Sequence, residues 1–152
     1  MANTQSMCTS FTRELLTATH DFTPATGDTF KAALYETTAT YNAATTAYST
    51  VGEVVGSGYT AGGVTVTNAT APASTNTSAT AGVAYWTSSA SLTYTTVTLT
   101  TAFDAVLIYN SSKSNKAVSV HTFGSQTVTS GTFTLTMPSN TTSTALLRLA
   151  TT

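Results

Sequence analysis

The chain has 152 residues; only 7% are charged, against roughly a quarter in an ordinary soluble domain, and five basic and six acidic side chains leave a net charge of -1. Charges scattered singly offer no footprint for a phosphate backbone, and no apolar stretch approaches the length of a membrane span, so nucleic acid and membrane are both set aside as partners. The length fits one domain that needs no metal or disulfide, and the single cysteine, Cys8, excludes an internal bridge and reads as a free thiol.

Residues 1–8 are small, polar and without periodicity, which predicts an extended arm that orders only on contact with something else. They also lack a basic segment followed by an apolar core, so synthesis in the cytoplasm without export is expected. Ser10 is placed to cap a short helix over 11–20, with Phe11, Leu15 and Ala18 on one stripe. A turn over 21–28 precedes a strand in which Phe30, Ala32 and Leu34 alternate with Lys31, Ala33 and Tyr35. Residues 37–48 read as a loop carrying one helical turn, and Glu53-Val54-Val55 as a short strand. The glycine-rich run 56–63 reads as a turn: no helix and no Lys-Ser/Thr pair follows, so it is not a phosphate cradle, and Val64-Thr65-Val66-Thr67 continues as strand.

Residues 68–81 are low in complexity and predict an exposed loop. Strands are then expected over 83–86, with the one tryptophan Trp86, and over 92–100. The stretch 103–123 is a hairpin: a β-branched and aromatic run at 106–109, six polar residues at 110–115, and an alternating return through Val118 and Val120. Both faces of its first strand carry large apolar groups, which predicts a central position. A turn over 124–130 leads to a strand in which Phe133, Leu135 and Met137 face inward and Thr132, Thr134 and Thr136 outward. A turn over 138–143 and a closing strand over 145–150 end the chain.

About eight short strands with turn signals every ten residues or so predict an all-β fold: an antiparallel, jelly-roll-like β-sandwich with a short N-terminal helix and an extended N-terminal arm. The organisation expected is an arm and helix over 1–22 and one sandwich domain over 23–152.

Groups able to carry acid–base chemistry are few: His20, Asp21, Asp28, Asp104 and His121, with Cys8 in the arm. His20 suits a helix carboxyl end, Asp28 shapes a turn, and His121 is expected on an outer or intersubunit face. No catalytic, cofactor-binding or metal-binding residue is assigned, and an enzyme is not expected. Four Asn-x-Ser/Thr sequons, at Asn68, Asn76, Asn110 and Asn140, are little more than chance in so hydroxyl-rich a chain. Threonines at every second position, as in Thr96, Thr98 and Thr100, read as solvent faces of strands before they read as an ice-ordering array. Tyr59, Tyr85, Trp86 and Tyr94 read as core or interface before they read as a sugar platform.

Three passages occur in a familiar order and spacing: 27–35 (Gly-Asp-Thr-Phe-Lys-Ala-Ala-Leu-Tyr), 56–63 (Gly-Ser-Gly-Tyr-Thr-Ala-Gly-Gly), and 107–112 (Leu-Ile-Tyr-Asn-Ser-Ser) followed by Asn115-Lys116-Ala117-Val118. With Ser10-Phe11 and Glu14-Leu15-Leu16, they resemble a widespread family of small virion proteins of tailed bacteriophages, from about residue 9 to the end. The resemblance implies a capsid decoration, or cement, protein on the outer surface of the virion. Its implied partners are the major capsid protein and further copies of itself, as a homo-oligomeric dimer or trimer. The alternative is a tail or fibre-associated module binding a host-surface glycan through loop-end aromatics. A hydrolase built from His20, His121 and Asp104 is the remaining rival.

Overall fold

The computed structural model of the chain describes residues 2–75 and 81–151. It is organised around β2 (Phe30–Glu36), which pairs antiparallel with the end of β6 (Leu92–Asn110), from Phe30 opposite Asn110 to Tyr35 opposite Ala105. Residues 30 and 32–35 of β2, and 105–110 of β6, are buried on both faces, as the two-sided apolar pattern of 106–109 predicts. On one face lie Phe30, Ala32 and Leu34, and on the other Ala33, Tyr35 and Tyr109. The large sheet has the order β1-β7-β6-β2-β3, completed by β1 (Ser6–Met7), β3 (Val64–Thr65) and β7 (Lys116–Leu135).

The largest departure from the sequence reading is the β6–β7 hairpin. The expected strands at 92–100, 106–109 and 131–137 and the expected turn at 124–130 are not separate elements: β6 and β7 run 19 and 20 residues without a break. The turn expected at 110–115 is present at 111–115, Asn110 being the last residue of β6, with Ser114 and Asn115 both at positive φ. The polar, glycine-bearing run 124–130 is absorbed by bulges instead. The register slips at five places, and Thr96 and Ser130 take positive φ beside two of them. Each slip adds one or two residues to one strand and twists the ribbon, so turn-like residues are carried inside a continuous strand. The alternation at 132–136 holds: Thr132, Thr134 and Thr136 are exposed, and Phe133 and Leu135 are half-buried.

The arm is also folded onto the body, contrary to expectation. Ser6 and Met7 pair with Val120 and Ser119 on the outer edge of β7, the Cys8 N–H donates to the Val118 carbonyl, and Cys8 is fully buried. Farther out, Asn3 donates to the Glu36 carbonyl and to Asp104 Oδ1 and accepts from the Tyr41 N–H. A buried strand edge needs partners for its backbone, and the arm supplies them. The helix α1 (Thr9–Leu16) is shorter than the 11–20 expected; its N-cap is Cys8, not Ser10, and Ala18 leaves it at positive φ. Residues 37–48 form turns without a helical segment, and Glu53 makes one bridge to Tyr35 in place of a strand.

A second, three-stranded antiparallel sheet has the order β4-β5-β8, from β4 (Ala73–Ser74), β5 (Val83–Trp86) and β8 (Leu147–Ala150). Thus 68–81, expected as loop throughout, contributes a strand; residues 76–80 lie outside the described part. Trp86 joins this sheet to the Phe30 face of the large one, its ring 4.9 Å from that of Phe22, which stacks on Phe30 at 4.3 Å. Among the described residues the fold is therefore all-β, with two antiparallel sheets and one short helix.

Gly63 sits where the 56–63 loop comes down on β2, at φ +69°, and a Cβ there would run into the Ala32 carbonyl. Gly63→Ala is expected to cost about 2–4 kcal/mol in chemical denaturation. Gly124→Ala, where an added Cβ meets nothing within 4 Å, should stay within about 0.5 kcal/mol.

Candidate functional site

The chemistry-bearing residues gather at the corner where α1 meets the β6–β7 turn. Glu14 lies three residues after Phe11 and therefore on the same inward stripe. Its Oε1 accepts from Lys116 Nζ at 2.6 Å and its Oε2 from His20 Nε2 at 2.8 Å. Asn110 continues the chain: its Nδ2 donates to His20 Nδ1 at 3.0 Å and to Asp28 Oδ2 at 2.8 Å, and its Oδ1 accepts the Ser112 N–H. Those last two bonds fix the amide orientation, which makes Nδ1 of His20 the acceptor and Nε2 the donor. Asp28 also accepts the Asp21 N–H and faces Lys113 at 3.5 Å.

Burial disfavours charge on Glu14, but hydrogen bonds from Lys116 and His20 and the Lys116 charge outweigh it and hold the carboxyl below its ordinary range. Asp28 behaves alike: burial pushes its carboxyl up, while Asn110, the Asp21 N–H and Lys113 bring it lower overall. The arrangement clamps α1, the 17–28 segment and the turn together. It presents no nucleophile beside His20, and both ring nitrogens are occupied.

The second buried carboxyl group, Glu53, is beside β2. Its oxygens accept from Tyr48 Oη at 2.6 Å, Tyr59 Oη at 2.7 Å and the Gly62 N–H at 2.7 Å. Tyr48 stacks on Tyr109 at 4.7 Å and Tyr59 lies 6.0 Å from Tyr94. Burial, then the Glu53 contacts, push the Tyr48 hydroxyl up; for Tyr59 burial dominates. This network seals the loop over 48–63 onto the sheet.

Of the sequence candidates, His20, Asp21 and Asp28 come together, His20 through Asn110 and Asp21 through its N–H to Asp28, and the rest have separate partners. His121 shares a 2.8 Å hydrogen bond with Ser119, and burial lowers its pKa to about 4; it lies on the Phe30 face, opposite Val106, half-buried. Asp104 binds Asn3. Cys8, buried beneath the arm, has its thiol pushed up to about 12 by burial and then by Glu14. Among the described residues no group of three or more His, Cys, Asp or Glu could hold a metal, and no helix is long and apolar enough to cross a membrane.

The other motifs are placed as follows. Asn110 is fully buried in the network, Asn68 holds the Trp86 indole N–H, and Asn76 lies outside the described residues. Trp86 and Tyr94 are buried and Tyr59 and Tyr85 half-buried, and the four do not form one platform: Tyr85 and Trp86 line one concavity, Tyr59 and Tyr94 another. The register slips between Tyr94 and Leu99 interrupt the Thr96, Thr98, Thr100 row.

Glu14, Glu53, Asn110 and Lys116 were missed as partners. Glu14 had a signal in its spacing from Phe11; Glu53 had none in periodicity, because its donors Tyr48, Tyr59 and Gly62, all within nine residues of it, come from an irregular loop. A cleft of about 500 Å³ lies between the small sheet and the segment from α1 to Pro24, lined mainly by apolar side chains. Compared with known proteins, the chain matches no family model, no curated protein and no solved structure.

The lowered carboxyl groups set a pH dependence. Both contribute stability present above their unfolded pKa values and lost as pH falls through the folded ones, so unfolding free energy should drop below about pH 4.5. In Glu14→Gln that acid limb should be shallower, and at neutral pH the variant should be about 2–3 kcal/mol less stable because Lys116 and His20 lose a charged partner. Thiol labelling of Cys8 in the native protein should be at least about 100-fold slower than in denaturant; equal rates would contradict its burial.

Proposed function

We propose that the chain is a structural virion protein that decorates a bacteriophage capsid and stabilises it by bridging major capsid protein subunits. In this reading the two sheets act as the halves of a jelly-roll-like sandwich, and copies of the chain associate on the outer surface of the shell. The observation that carries the reading is how the three family-like passages sit together. Residues 27–35 contain β2; 56–63 is the loop whose Tyr59 hydroxyl accepts the Leu34 N–H and whose Gly63 packs on Ala32; 107–112 is the end of β6 paired with β2. The resemblance thus concerns one contiguous structural unit, which fits a role resting on shape.

A bridging protein stabilises a pressurised shell because the area it buries against several subunits must be lost before they separate. Many equivalent copies multiply a modest contact. The surface is suited to such contacts: exposed Leu16, Val51 and Val55 sit among hydroxyl groups.

Quantitative mass spectrometry of purified virions should find this protein in hundreds of copies, at a simple ratio to the major capsid protein. A handful per particle would move the assignment to a tail or fibre-associated module, and absence from virions would overturn both.

A further inference from the structure

Strand β8 has β5 on one side and, among the described residues, no strand on the other. Its register with β5 is regular through all four pairs, from Val83 opposite Ala150 to Trp86 opposite Leu147. Just beyond, the Thr151 N–H donates to the Gly82 carbonyl. By the two-residue repeat of an antiparallel ladder, residues 147, 149 and 151 turn their backbone groups to β5, and Arg148 and Ala150 turn theirs outward. The edge is four residues long with neither bulge nor proline, and its one charge, Arg148, has its guanidinium drawn back to the Ser143 carbonyl.

The same strand forms part of the cleft wall. Leu147 and Leu149 share a face and line it with Ala84 and Trp86, while Phe11, Leu15 and Phe22 stand opposite. Ala84 and Leu149, paired across the two strands, are exposed, Leu149 to 40%. Asp21 is the only acidic side chain on the wall, and His20, also there, has both nitrogens engaged.

We propose that the β8 edge and this cleft together form a docking site for an extended segment of another protein, which adds as a fourth strand to the small sheet. Outward N–H and C=O groups repeating every second residue are satisfied by another backbone, and a small apolar ligand cannot supply that row. Residues of the added strand opposite Leu147 and Leu149 would fall on the cleft face, so alternate side chains enter it. The largely uncharged wall calls for uncharged aliphatic or aromatic groups at those alternate positions.

The test titrates the full-length chain with the capped peptide Ac-Thr-Val-Thr-Val-Thr-Val-NH2, following amide NMR shifts and Trp86 fluorescence. Expected are saturable binding, shifts centred on Arg148 and Ala150, and no binding of a peptide with proline in place of each valine. Leu149→Asp should weaken the affinity at least about tenfold. Ala150→Pro, which deletes an outward N–H and leaves the β5 bonds intact, should do the same without lowering the melting temperature by more than a few degrees. Absence of saturable binding at millimolar peptide would overturn the proposal, as would equal binding of the proline peptide or indifference to both variants. A concentration-dependent dimer without peptide, abolished by Leu149→Asp, would assign the edge to a second copy and overturn the heterologous partner. Binding is read on the purified chain, so its outcome is separate from the copy number in virions.

Discussion

Burial of both faces of β2 and the end of β6 is the constraint on which the other elements depend. Strands covered on one side only could have stood as an open sheet; covered on both, they need two dissimilar layers. The Phe30 face takes aromatic rings, Phe11, Phe22 and Trp86, and through Trp86 the small sheet. The opposite face takes tyrosines: Tyr35 lies 3.7 Å from Tyr41, both hydroxyls donate to the Ser49 carbonyl, and Tyr48 stacks on Tyr109. Phenylalanine suits a layer closed by another sheet. Tyrosine suits one closed by a loop, whose backbone carbonyls need donors.

Each layer is pinned by one buried carboxyl group, one tying α1 to the distant start of β7 and the other closing the loop over 48–63 on itself. Glu14 gathers Lys116 and His20; Glu53 gathers Tyr48, Tyr59 and the Gly62 N–H. Such a group costs several kcal/mol to desolvate, so it tolerates only the arrangement that brings its donors together. The gain is in uniqueness of the loop positions more than in net stability. His20 belongs to the same clamp: both its ring nitrogens are engaged, linking Glu14 to Asn110.

How much of this was legible in the sequence depends on range. Local patterns read well: β2, β5, the turn at 111–115 and the alternation from Thr132 to Leu135 follow from period-two spacing and turn residues. Continuity did not, because Gly124, Ser130 and Gly131 are turn residues by composition and bulge residues in place, and only the ladder between β6 and β7 distinguishes the two. The arm was misread because a polar, aperiodic stretch carries no mark of the strand edge that recruits it. Asn110, a turn residue by sequence, proved to be the hub of the corner network, since Glu14, His20 and Asp28 approach it from 82 or more residues away.

The low charge of the chain then has a structural meaning. Of its six acidic residues, Glu14, Asp28 and Asp104 hold groups brought in from other parts of the chain, Lys113 and Lys116 face two of these, and Glu53 closes its own loop. What remains for the surface is mainly hydroxyl groups and isolated apolar side chains. A surface of that kind exerts little long-range attraction, so encounter with a partner is not electrostatically steered. Recognition must rest on contacts made at short range, by shape, by apolar burial and by backbone hydrogen bonding at a strand edge. Those terms accumulate with contact area and change little with ionic strength, which fits the bridging role proposed above.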